Sequence, residues 1–172
     1  MRTATLRAMI LGLAAVTSCA AIARGQAKQG LPAPTERRVI YPENVDAKVE
    51  ITEALAKAAQ THRRVILVFG GNWCYDCHAL DAAFRSAEIA PIVNKNFVVV
   101  HVNIGEYDKN LDLADKYDVP LKRGVPASAV LESNGTLLYS QKQGEFESAK
   151  RISKEDVVAF LNKWKPVAKN GR

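Results

Sequence analysis

The stretch Arg64-Val-Ile-Leu-Val-Phe-Gly-Gly-Asn-Trp-Cys-Tyr-Asp-Cys-His78 constrains this chain more than any other. Residues 65–69 are uninterrupted apolar residues, mostly β-branched, the pattern of a strand covered on both faces, and Gly70-Gly71-Asn72 ends it. Beyond that break Cys74, Cys77, Leu80 and Phe84 recur at spacings of three and four, which is one face of a helix. Cys74 therefore stands at a helix N-terminus and Cys77 one turn inside. Unpaired backbone N–H groups and the positive end of the helix dipole favour a thiolate at the first position. Cys77, facing the core, is near enough to close a disulfide and shielded enough to act second. The pair reads as attacker and resolver.

The remaining order is readable from period and punctuation. A helix is expected over 45–59 with Asn44 or Asp46 as cap, and a strand over 96–104 after Pro91 interrupts the chain near 88–94. A short helix at 108–117 follows. Strands at 128–132 and 136–142 flank Ser133-Asn-Gly135, a hairpin signal. A final helix over 154–164 has Ser153 as its cap. Residues 37–41 read as a short edge strand. Gly144-Glu-Phe146 either borders a groove or supplies a core aromatic. No internal repeat is visible.

With Trp73 ahead of the cysteines and Gly124-Val-Pro126 just before the hairpin, this order resembles the thioredoxin superfamily from about residue 46 to residue 165. The resemblance implies an α/β, thioredoxin-like fold with a central mixed sheet of about four or five strands flanked by helices. It also implies thiol–disulfide oxidoreductase activity at Cys74 and Cys77. In that family the matching proline is cis and faces the cysteines, so Pro126 is expected to be cis, leaving the Val125 backbone free to pair with an extended substrate peptide beside Trp73. Tyr75 and Asp76 occupy the two positions that set redox poise. A negative Asp76 beside a nascent thiolate disfavours it, which places the couple toward the reducing end of a range of roughly −270 to −120 mV. His78 is a polar neighbour that either tunes the pair or does nothing.

Two departures stand out. Thioredoxins carry a buried Asp six residues before the first cysteine, where this chain has Val68, so the proton must pass to water, to Asp76 or to another carboxylate. The segment Val119-Pro-Leu-Lys-Arg123 lengthens the loop before Gly124. Both suggest a specialised member of the export compartment.

Rival readings rest on the same residues. Cys74, Cys77 and His78 satisfy the CxxCH pattern for c-type haem, but the only methionines are Met1 and Met9, and His62 and His101 are the other histidines. A structural zinc site needs four ligands, and there is no second CxxC. A binding module holding Cu(I) through the two thiolates and His78, or holding a client chain, is the third alternative. No resident cofactor or metal is expected.

The first 23 residues show basic Arg2 and Arg7, an apolar run at 8–16 and small residues afterwards, the composition of a secretory signal too short for a lasting membrane span. Val16-Thr-Ser-Cys19 resembles a bacterial lipobox, with lipid on Cys19 as a membrane tether; a cut after Ala23 or Ala27 competes with it. Either route leads to a periplasmic or otherwise extracytoplasmic location, where disulfide chemistry is at home. The expected partners are disulfide-containing extracytoplasmic proteins and an electron donor. Residues 24–45, with Gly30, Pro32, Pro34 and Pro42, read as a tether, 46–165 as the domain and 166–172 as a tail. The formal charge of +6 carries no basic run with interleaved aromatics, so nucleic acid is not indicated.

Overall fold

The apolar run at 65–69 becomes the strand on which both layers of the core are built. The computed structural model describes residues 30–34, 38–148 and 151–167. In chain order it contains α1 (Ala47–Thr61), β1 (Arg64–Gly70), α2 (Tyr75–Phe84), α3 (Ala90–Asn96) and β2 (Phe97–Asn103). These are followed by α4 (Leu111–Lys116), β3 (Ala127–Leu131), β4 (Leu137–Ser140) and α5 (Lys154–Trp164). The leader, the cleavage sites and Cys19 lie outside the described residues.

Among the described residues the sheet has four strands in the order β2-β1-β3-β4. β1 runs parallel to β2 and antiparallel to β3, and β3 and β4 form the hairpin expected from Asn134-Gly135. Central placement explains the sequence of β1, because alternate residues must satisfy two apolar layers. Val65, Leu67 and Phe69 pack with Ile51 and Ala58 of α1 and Leu113 of α4. Ile66 and Val68 pack with Leu80 and Phe84 of α2 and with Val157 and Leu161 of α5. Arg64 ties the start of this strand to the end of α5. Its guanidinium donates to the Trp164 and Lys165 carbonyls and to Glu132, meeting acceptors that the last turn of α5 leaves open.

Local signals explain the helix ends. Asp46 caps α1 through the Lys48 N–H, and Ser153 with Asp156 forms a reciprocal capping box on α5. Pro91, expected to interrupt the chain, instead sits in the first turn of α3, where its missing N–H has no intrahelical acceptor to lose. That helix was the element not foreseen. The lengthened loop becomes a single 3-10 turn, Leu121–Arg123, with Val119 and Leu121 buried.

Residues 38–41 do not form the expected edge strand. Their backbone is bonded by a side chain, since Asn72 Oδ1 accepts from both the Ile40 and Tyr41 N–H groups at 3.0 Å and Asn72 Nδ2 donates to the Tyr41 carbonyl at 2.8 Å. Within the stretch read as a tether, Leu31 and Tyr41 are buried, so this part of it is packed on the domain. Phe146 belongs to the core, edge-on to Phe160 with centroids 4.8 Å apart, and not to a groove.

Candidate active site

β1 ends at Gly70, and after three intervening residues the chain enters α2 with Cys74 at its N-cap. The Cys74 backbone is extended there, and its sulfur accepts the Cys77 N–H at 3.1 Å, the bond a capping oxygen would ordinarily make. A thiolate at this point is stabilised by that donor and by the helix terminus. Cys74 and Cys77 are joined in a disulfide, with Cα atoms 5.3 Å apart. Cys74 is 5% exposed and Cys77 1%. Both sulfurs are therefore buried, Cys74 the less completely of the two.

The turn expected beside the sulfur pair lies against it. The Val125–Pro126 peptide is cis. Cys74 Sγ lies 3.6 Å from the Val125 carbonyl oxygen, within reach of a weak S–H hydrogen bond from the thiol form. The Pro126 carbonyl accepts from Gln141 Nε2 at 3.1 Å, and Gln141 Oε1 accepts from Ser128 Oγ at 3.1 Å, which ties this turn to the residue after β4. Trp73 is 46% exposed; its indole N–H donates to the Gly105 carbonyl at 2.8 Å and its ring packs on Tyr107 at 5.8 Å. Tyr75 is 53% exposed on the same end of the molecule, and Asp76 is half-buried in the first turn of α2. Trp73, Tyr75 and Tyr107 give the rim an aromatic character.

Next to the disulfide on α2 stand His78, expected as a polar neighbour, and a carboxylate that the motif did not announce. His78 is buried, with Nε2 2.9 Å from the Asn72 carbonyl oxygen. Asp81, four residues after Cys77 and so on the same face of α2, is buried as well. It accepts from Arg85 Nε at 2.9 Å, and its other oxygen stands 3.7 Å from His101 Nε2. Burial pushes His101 below the ordinary imidazole range; Asp81 opposes that shift, while Arg85 and His78 add to it. Val68, at the position of the thioredoxin aspartate, pairs with His101 across β1 and β2. The buried carboxylate of this region, Asp81, is on α2 and not on β1. Among the described residues no cluster of three or more His, Cys, Asp or Glu side chains has the arrangement of a metal site.

A family model described as thioredoxin-like matches residues 46–133. The chain belongs to the thioredoxin-like family. It has the fold and the CxxC pair of that family's thiol–disulfide oxidoreductases. A disulphide isomerase from Xylella fastidiosa Temecula1 is 37% identical, with a TM-score of 0.69 over 74% of this chain and 98% of that one. The C-terminal domain of DsbD from Neisseria meningitidis, in its oxidised form, is 14% identical with a TM-score of 0.53, covering 70% of this chain and 97% of that one; this likeness concerns the fold. No curated protein sequence matches the chain.

The thioredoxin-like core thus brings together Trp73, Cys74, Cys77, Val125 and Pro126. Tyr41, Asn72, Asp81, His101 and Tyr107 were not foreseen at the site. They come from separate elements and share no spacing, and only the apolar cluster Val39-Ile40-Tyr41 in a polar stretch gave a signal.

Proposed function

We propose that this thioredoxin-like protein is an exported thiol–disulfide oxidoreductase that reduces or exchanges disulfides in extracytoplasmic proteins. The observation that carries the reading is Cys74 as the N-cap of α2, its sulfur held by the Cys77 N–H and facing the Val125 carbonyl. The thiolate of Cys74 attacks a substrate disulfide, giving a mixed disulfide and a substrate thiolate. Cys77 then loses its proton and attacks Cys74 Sγ; the second substrate sulfur leaves as a thiolate and takes up that proton. The Val125 backbone pairs with the extended substrate, while Trp73 flanks it. Asp76, negative in the first turn, disfavours the nascent thiolate and places the couple near the reducing end of roughly −270 to −120 mV.

The haem reading asks His78 Nε2 to leave the Asn72 carbonyl and reach a metal from a buried position. The sulfur pair in redox use asks no such rearrangement. Equilibration in glutathione buffers is expected to give a potential within that range, and wild-type protein to reduce a disulfide-linked reporter peptide at least a hundredfold faster than a Cys74→Ser/Cys77→Ser variant. Equal rates would defeat the oxidoreductase reading.

Export and tethering rest on the leader composition. In a bacterial host that processes lipoproteins, the full chain is expected to partition into detergent, and Cys19→Ala to release it into the soluble fraction. Recovery of the wild-type protein wholly in the soluble periplasm, beginning at residue 24 or 28, sinks the lipid tether and leaves export standing.

A further inference from the structure

Tyr41 is fully buried and, among the described residues, its hydroxyl has no hydrogen-bond partner. Such a group ordinarily costs free energy unless some state of the protein gives it one. Its position indicates which state. A Cβ added to Gly70 would stand 2.6 Å from Cys77 Sγ and against the Tyr41 hydroxyl, so both atoms converge on the bare α-carbon at the end of β1. Glycine there leaves the space in which sulfur and hydroxyl approach each other. The Asn72 carboxamide fixes the backbone of residues 40 and 41, and the Tyr41 ring stands edge-on to His101 at 5.2 Å. Tyr41 also precedes the segment matched to the family, residues 46–133.

The geometry points to Tyr41 as a further residue of the redox site, its hydroxyl donating a hydrogen bond to the Cys77 sulfur when the disulfide is open. This rests on the oxidoreductase reading above. A disulfide sulfur is a poor acceptor, a thiol a weak one and a thiolate a charged one, so the hydroxyl is idle in the oxidised protein, bonds the Cys77 thiol once the disulfide opens, and bonds the thiolate most strongly. In the resolving step Cys77 gives up its proton, which ends on the departing substrate thiolate. Its sulfur bonds to Cys74 Sγ as the Cys74–substrate bond breaks. Tyr41 transfers nothing; it stabilises the Cys77 thiolate that must form first. Burial and the nearby Asp81 keep the phenol protonated, as a donor must be. Among the described residues, Asp81 of α2 acts electrostatically on Tyr41 and the His101 ring of β2 packs on it; behind them Asp81 holds Arg85 and faces His101, and His78 of α2 bonds the Asn72 carbonyl.

The test is Tyr41→Phe in the full chain, which keeps the ring and removes the donor. Reduced protein is mixed with oxidised glutathione, and the bimolecular attack by Cys74 is separated from the unimolecular resolution by Cys77. Losing a hydrogen bond to a charged group lowers the thiolate fraction about ten- to a hundredfold. The remaining thiolate is more nucleophilic, which offsets roughly half of that on a logarithmic scale. Resolution is therefore expected to slow about three- to tenfold at pH 7, with its pH midpoint raised by about one to two units and the attack phase unchanged. Melting of the variant should fall relative to wild type in the reduced form and hold or rise in the oxidised form. Equal slowing of both phases, equal melting shifts in both redox forms, or an unaltered resolving step overturns the role of Tyr41. A wild type inert toward glutathione disulfide defeats the oxidoreductase reading instead, and the melting comparison still decides whether the hydroxyl bonds the open thiol.

Discussion

Cys77→Ser protein is expected to accumulate a covalent adduct with disulfide-bearing clients, near one per protein and released by dithiothreitol, while Cys74→Ser gives almost none. The two sulfurs occupy different positions on one helix. Cys74 caps α2, takes the Cys77 N–H, and faces the cis-Pro126 turn, where the proposed function seats the partner peptide. Cys77 is 1% exposed, one turn inward, and is bonded to the sulfur of Cys74. The mixed disulfide forms before Cys77 acts, so removing Cys77 blocks release without blocking capture. Cys74 should also be alkylated faster than Cys77 in the reduced protein. With Cys74 only 5% exposed, a bulky alkylating reagent should separate the two thiols less than a small one does. Comparable trapping by the two single variants, read on non-reducing gels, would sink the division of labour; a metal-holding module would show no adduct in either.

What could be read in the sequence follows from what is local. β1, α2 and the hairpin carry their period and punctuation within a dozen residues, and the pair Cys74 and Cys77 needs only a spacing of three. Pro126 was legible because Gly124-Val-Pro126 precedes a strand on a recognisable order of elements. α3 was not, because a proline stops a helix in its interior and begins one in its first turn, and Pro91 alone does not say which. The buried polar group was not legible either. Asp81 looks like any helix carboxylate and His101 like any strand residue until the register of β1 on β2 sets His101 beside Val68. Tyr41 was hidden by its surroundings: prolines and charges on both sides describe a linker, and the residue that contradicts them, Asn72, lies 31 positions away.

Asn72→Ala is expected to lower the unfolding free energy by about 2–4 kcal/mol, a large loss for a half-buried residue between a strand and a helix. The carboxamide makes three backbone bonds at 2.8–3.0 Å, to the Ile40 N–H, the Tyr41 N–H and the Tyr41 carbonyl. At roughly 0.5–1.5 kcal/mol each, their loss alone accounts for that range. Any release of the segment adds the exposure of Tyr41, which is now fully buried. Asn72→Asp keeps the acceptor for the two N–H groups but loses the donor to the carbonyl, and it sets a negative charge near Glu43, to which Asn72 Nδ2 lies at 3.5 Å. It should fall between wild type and Asn72→Ala. Urea midpoints give the order, and hydrogen exchange at the Ile40 and Tyr41 amides gives the location, with protection lost in Asn72→Ala well below the global transition. A cost under about 0.5 kcal/mol, or unchanged protection at those two amides, would mean that the Asn72 carboxamide does not hold the segment down. If it does hold, Tyr41→Phe should have a smaller effect on resolution in the Asn72→Ala background than in wild type, because the hydroxyl has already left the sulfur it serves.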